Sequence, residues 1–172
     1  PAQGLPLKDI LKPFDKVKHR AAITTPKELG QLIYDIDNNS TGGYCSTEAL
    51  KLIPRLFLRP IEIRTLQWDF IDFDEEIIRI PAELMKRRRE HLVPMAKQVQ
   101  QHLISIKNVT GYSRYVFPNE SNSTIPMSKN VLTNRLRDLG YKADVMSAHG
   151  FRSTASTLLH EHGWNHDVIE AQ

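Results

Sequence analysis

The apolar spacing of this chain changes period twice, and those changes limit what it can fold into. In TTPKELGQLIYDID, residues 24–37, Leu29, Leu32, Ile33 and Ile36 recur every three or four positions, which lays them along one face of a helix. Thr25 is placed to cap that helix, Pro26 suits its first position, and Glu28 would complete a capping box. After the loop NNSTGGY, a second helix is expected to open near Ser46 or Thr47 and to run through Ala49, Leu50, Ile53, Leu56 and Phe57, with a kink at Pro54. Pro60 can start a further short helix. The period then becomes strand-like: DFIDFDEEIIRIP reads as two strands around an acidic turn at Asp74–Glu76, and HLVPM as a third strand beyond the basic turn MKRRRE.

Helical spacing resumes from Ala96 to Ile106, and YVFP is short and extended. SKNVLTNRLRDLG predicts a helix with Ser128 as N-cap and Gly140 just past its end. One more helix is expected to finish near Gly163, and Asn165 can cap another. The expected fold class is therefore α+β, mainly helical, with a small three-stranded antiparallel sheet.

At 172 residues and 40% hydrophobic content, the chain is long enough to bury one core. A net charge of +3 is mild, so a polyanion would be recognised through the distribution of charge. That distribution is uneven. Lys86, Arg87, Arg88 and Arg89 are consecutive cations, and Lys8–Arg20 is also basic, whereas Asp72–Glu76 and the last dozen residues are acidic. The single cysteine, Cys45, excludes an internal disulfide and fits a reducing cytoplasm. No apolar run approaches the roughly 20 residues of a membrane span. Residues 1–20 read as a linker with one helical turn, residues 21–172 as the domain, and the whole as an excised piece of a longer protein.

Three loci carry candidate chemistry. Arg59 ends an apolar helix face, with Glu62 three residues on. The pair is either a structural ion pair or an arrangement in which Glu62 orients a guanidinium whose remaining N–H groups hold a phosphate. Lys86 lies in the basic turn, which is either a solvated surface or a place from which an ammonium reaches a leaving oxygen while Arg87, Arg88 and Arg89 hold DNA phosphates. In SAHGFRSTAS, residues 147–156, His149 and Arg152 are three positions apart and share a helix face. Each locus alone is commonly structural; together they could cage a pentacoordinate phosphorus.

The blocks LFLRPIEIRTLQWDFID, IPAELMKRRREHLVPM, YVFPNE…PMSKN and AHGFRSTASTLLHEHGWNHDVIEAQ, in that order and spacing, closely resemble the catalytic domain of tyrosine recombinases, specifically the P4-like prophage and genomic-island integrases. The resemblance covers nearly all of residues 21–172. It implies site-specific DNA recombination: integration or excision of a mobile element by strand cleavage and rejoining through a 3′-phosphotyrosyl intermediate. It implies that Arg59 is the first catalytic arginine and Glu62 its support. Lys86 would be the general acid for the 5′-hydroxyl leaving group, and His149 and Arg152 the His-x-x-Arg box. Bond energy is retained in the tyrosyl ester, so neither ATP, a metal nor another cofactor is implied. The implied partner is double-stranded DNA, bound by a tetramer of the full-length protein in the cytoplasm.

Two departures from the family pattern stand out. Ile61 occupies a position where many relatives have a small residue. The family's block with a second histidine or tryptophan, followed by the nucleophilic tyrosine, would fall after VIEAQ; Tyr34, Tyr44, Tyr112, Tyr115 and Tyr141 all precede the His-Arg box. These 172 residues are therefore expected to be monomeric and inactive alone, a non-enzymatic DNA-binding remnant being the alternative.

Other readings are weaker. HEHGWNH holds His160, His162 and His166 but lacks the spacing that sets two metal ligands on one helix face. The acidic residues show no convergent pattern for a magnesium nuclease. Trp68, Phe70, Phe73 and Phe117 follow the core pattern and are expected to pack, and Tyr112, Ser113 and Arg114 occupy a polar loop.

Overall fold

The computed structural model of the chain describes residues 20–39, 41–85 and 88–171. The elements run α1 (Pro26–Asn38), α2 (Tyr44–Leu56), α3 (Pro60–Arg64), β1 (Ile71–Asp72), β2 (Ile77–Ile80), β3 (His91–Pro94), α4 (Lys97–Thr110), α5 (Val131–Asp138), α6 (Gly150–Glu161) and α7 (His166–Ala171). The expected α+β class is what forms. The proposed linker lies outside the described residues except for Arg20.

The core is built around α2. Ala49, Leu50, Leu52, Ile53 and Leu56 are all buried, and the helix packs against α1, α3, α4, α5 and α6. Such a helix cannot slide or rotate without opening the core on several sides. Pro54 lies in its last turn, where the missing N–H removes one rung of the ladder without ending it: the Phe57 N–H still donates to the Ile53 carbonyl at 3.3 Å. Phe57 follows in the left-handed region, at φ 54°, a conformation that is strained for a residue with a Cβ.

The sheet follows the alternation. Ile78 pairs with Ile71 and Val93, and Ile80 with His91. Ile78, Ile80 and Val93 are buried while Arg79 and its partner Leu92 face out. Cross-strand partners share a face, so His91 lies on the inner face, opposite Ile80.

Several local expectations are corrected. The Thr25 hydroxyl donates to the Glu28 carboxylate at 2.5 Å and caps no backbone N–H. The second helix opens at Tyr44, two residues sooner than expected. The fourth continues to Thr110 because that residue is held from outside it: the Thr110 hydroxyl donates to the Val116 carbonyl at 2.9 Å, and the Trp68 indole N–H donates to the Thr110 carbonyl at 3.3 Å. Asn130, not Ser128, takes the N-cap position of α5, with no side-chain cap hydrogen bond. Gly140 does follow that helix with φ 89°. YVFP makes isolated bridges, Tyr115 to Gln67 and Pro118 to Pro126, because its partners are loop residues.

A buried arginine ties the α1–α2 loop to α5. Arg135 donates to Asp138 at 3.0 Å, to the Asn39 side chain at 3.3 Å and to the Thr41 carbonyl. Gly42, at φ 90°, lies so close to this guanidinium that a Cβ would collide with it. Of the aromatic residues expected to pack, Trp68 and Phe117 are buried, and Phe70 and Phe73 lie against the core. Tyr112 is exposed, but Ser113 is buried and donates to the Ser123 carbonyl, and Arg114 donates to Gln67.

Replacing Phe117, fully buried, with Ala is expected to cost about 3–5 kcal/mol of unfolding free energy. Ile104→Ala, at a half-exposed position of α4, is expected to change it by less than about 0.5 kcal/mol. Urea denaturation of the two variants checks the contrast.

Candidate functional site

The short link between α2 and α3 assembles the site. Leu58 is buried, so it pins the residues on either side of it. On one side, the Phe57 carbonyl accepts a hydrogen bond from Arg152 Nη1 at 3.2 Å. A carbonyl at a helix C-terminus carries partial negative charge and suits a cation. On the other side is Arg59, which precedes Pro60 and takes the N-cap position of α3. Arg152, in the first turn of α6, is thus held within two residues of Arg59, although 93 positions separate them in the chain.

Glu62 fixes Arg59 twice. Its Oε2 accepts from the Arg59 backbone N–H at 2.8 Å, and its Oε1 accepts from Arg59 Nη1 at 2.6 Å. The carboxylate is 4% exposed and the arginine side chain 35%. The acid is buried and spent on one partner, while the guanidinium remains open to solvent with other N–H groups available to an incoming anion.

His149 occupies the N-cap position of α6, its side chain capping no backbone N–H. Burial is the main influence lowering its pKa, and the positive charges of Arg20 and Arg59 lower it further. The influence of Arg59 brings this imidazole into the same neighbourhood as the α2–α3 link. His149 precedes the helix proper; being one step before its first turn, it remains close to Arg152.

Two members of the cluster were not expected from the sequence. His91, read only as a strand residue, is half-buried, and burial is the first cause lowering its pKa; Arg152 and Arg59 lower it while Glu62 raises it. The signal for His91 is its pairing with Ile80, which a strand alignment could have shown. Arg20, read as linker, donates from Nη1 to His149 Nδ1 at 2.9 Å, and no local pattern reveals this. The structure thus brings Arg59, Glu62, His149 and Arg152 together and adds Arg20 and His91. Lys86 and Arg87 lie outside the described residues. Arg88, at φ 47°, and Arg89 are exposed on the β2–β3 connection.

Two of the tyrosines have other settings. Tyr44 opens α2 whereas Arg59 follows its end, a separation of about 20 Å at the rise of a helix. Tyr141 donates to Asp35 at 2.6 Å, and burial, followed by that hydrogen bond and the Asp35 charge, pushes its pKa up. The buried Cys45 thiol is pushed up to about 11, chiefly by burial, and is a poor nucleophile. Among the described residues, no group of three or more His, Cys, Asp or Glu side chains converges as a metal site. The His160 and His166 rings stack with centroids 5.3 Å apart, and His162 lies against the Leu158 carbonyl. No helix among the described residues is long and apolar enough to cross a membrane.

Comparison with known proteins points to one family. The sequence profile of the Phage integrase family matches residues 23–172. The integrase of Shigella phage Sf6 is 36% identical over 133 residues, covering 77% of this chain and 34% of that protein. The integrase of Enterobacteria phage P4 is 36% identical over 138 residues, covering 72% and 31%. The prophage integrase IntA of Escherichia coli strain K12 is 34% identical over 170 residues, covering 98% and 40%. The chain therefore spans about a third of the length of the curated relatives it matches. Its fold is shared with XerA recombinase, at a TM-score of 0.68 and 20% identity, covering 89% of this chain and 56% of that one. A lambda integrase dimer bound to a COC' core site gives 0.66 at 14%, covering 91% and 45%.

Both histidines have folded pKa values below the ordinary 6.5, so the unfolded chain binds more protons between those values. Stability from these groups is complete above pH 6.5 and is lost as the pH falls toward the depressed folded pKa. His149→Gln should therefore show a shallower loss of urea stability than the wild type across that window. Equal slopes in the two proteins would contradict the assigned shift.

Proposed function

The chain belongs to the phage integrase family, and we propose that its described fold is the phosphate-binding part of a site-specific recombinase acting on double-stranded DNA. The observation that carries this reading is the placement of Arg152 on the Phe57 carbonyl, two residues from Arg59, with His149 beside them. Two guanidiniums on a shared, rigid support suit a phosphodiester whose non-bridging oxygens gain charge as phosphorus becomes pentacoordinate. Glu62 orients Arg59, Arg59 and Arg152 clamp the oxygens, and His149 donates a hydrogen bond.

In the reaction, a tyrosine hydroxyl gives up its proton to solvent as its oxygen forms a bond to phosphorus and the bond to the 5′-oxygen breaks, leaving a 3′-phosphotyrosyl ester. Lys86 supplies the proton to the departing 5′-oxygen. Lys86 lies five residues before His91 in the sequence, a span of at most about 18 Å when extended, which is compatible with that role. Arg87, Arg88 and Arg89 hold flanking phosphates, giving binding that weakens steeply with salt.

The five tyrosines all precede the His-Arg box in the sequence, and on this reading residues 1–172 supply the clamp and the tyrosine comes from outside them. On this reading, residues 1–20 lead into the domain, residues 21–172 form the catalytic domain up to the nucleophile, and these residues alone are monomeric. The whole protein works as a tetramer on paired DNA sites in the cytoplasm.

The test is incubation of the full reading frame that contains these residues with a nicked suicide duplex. A covalent protein–DNA adduct is expected, with its rate lowered about 10²–10³-fold by Arg59→Ala or by Arg152→Ala. Residues 1–172 alone should give none. Unchanged adduct formation in both variants would refute the site. Duplex binding without any adduct from the full reading frame would make the protein a DNA-binding remnant.

A further inference from the structure

The segment before α1 is fastened to the head of α6 over several residues. The Ala21 carbonyl accepts hydrogen bonds from the Ser147 backbone N–H at 3.2 Å and the Ser147 hydroxyl at 3.1 Å. The buried Thr154 hydroxyl donates to the Ile23 carbonyl at 2.6 Å. Gly150 packs so closely on Ala21 and Ala22 that a Cβ there would strike the Ala21 carbonyl oxygen. A glycine at the first position of α6 thus admits the segment against the helix, and the two hydroxyls lock it in place. Arg20, the next residue back, is delivered to His149 by this clasp.

The chemistry of the contact is directional. A guanidinium has only donors, so the 2.9 Å contact between Arg20 Nη1 and His149 Nδ1 requires Nδ1 to be the acceptor. The imidazole is then neutral and its hydrogen is on Nε2. We infer that Arg20 is a positioning residue of the site: it holds His149 as the neutral Nε2–H tautomer, so that the nitrogen turned away from Arg20 is a ready hydrogen-bond donor to an anionic oxygen. This rests on the phosphate-binding reading of His149 given above.

Without Arg20, the Nδ1–H tautomer, which presents an acceptor lone pair to a phosphate oxygen, is no longer excluded by a donor at Nδ1. The charges around His149 work in the same direction as the contact. Arg20 from the preceding segment and Arg59 from the head of α3 both disfavour the imidazolium, and Arg152 lies one turn along its own helix. A neutral donor in a cage that already holds several fixed cations gives directionality without adding charge repulsion.

The experiment uses the 172-residue chain labelled with nitrogen-15 histidine, and reads two-bond proton–nitrogen correlations across a pH titration. In the wild type, the His149 Nδ1 resonance should sit at the unprotonated position and Nε2 at the protonated one, with a titration midpoint below 6.5. Arg20→Ala should average the two nitrogen shifts toward each other and raise the midpoint, because a nearby positive charge is removed. Arg20→Lys, which still donates, should retain the wild-type pattern. Arg20→Met keeps the apolar stem without the donor and replaces Arg20→Ala as the reading if the amide spectrum shows that the alanine variant is unfolded. A wild-type His149 protonated on Nδ1 would overturn the inference, as would a donor-free variant with unchanged shifts and midpoint. Addition of a short duplex is the separate readout for phosphate binding: failure of His149 Nε2 to shift in that arm alone would remove the phosphate role and leave the Arg20–His149 pairing supported.

Discussion

A helix enclosed by five others is the least adjustable part of a small domain, and α2 occupies that place here. Its side chains at Ala49, Leu52 and Ile53 are completely buried, so its C-terminal end is fixed by the same packing that stabilises the core. The residues that follow inherit this fixity. Phe57 turns through a left-handed conformation, Leu58 re-enters the core, and Arg59 begins α3. The strain of the left-handed turn is sustained by packing on both sides of it. What results is a rigid corner that presents one carbonyl to Arg152 and one guanidinium to solvent.

That corner accounts for how several like charges are held at close quarters. Arg59 is compensated by a buried carboxylate, Arg152 by a helix-end carbonyl, and both histidines are kept toward their neutral forms by burial and by the arginines. Each cation has a partner behind it, and the histidines contribute hydrogen bonding without contributing charge. An anion entering from the open side of Arg59 meets a field whose groups need no rearrangement, which is the condition for strong electrostatic stabilisation of developing charge. His91, on the inner face of β3, links this field to the sheet and to the basic connection that precedes it.

Much of the architecture was legible because its causes are local. The helical period of Leu29, Leu32 and Ile36, the strand alternation of Ile78 and Ile80, the glycine after α5 and Asn165 before α7 all act within a few residues, and each element formed near its expected place. The end of α4 and the pairing of YVFP depend on contacts outside their own segments. Thr110 extends α4 because Val116 and Trp68 hold it, and YVFP is bridged by Gln67, 48 positions before Tyr115, and by Pro126, eight after Pro118. The reciprocal backbone contact expected from Glu28 is instead made by Glu62, where a buried carboxylate has no water to compete for it.

By itself, then, the sequence determined the element types, the α+β class and the four blocks that mark the family, since propensity, capping and apolar period are written in neighbouring residues. It also placed Arg59 beside Glu62 and His149 beside Arg152, pairs that need only one turn of helix to meet. Tertiary structure alone decided that these pairs face one another, that His91 joins them and that Arg20 belongs with His149. Those contacts join positions up to 129 residues apart, and their energy becomes available only when the core closes around α2 and brings the separate segments to the same corner.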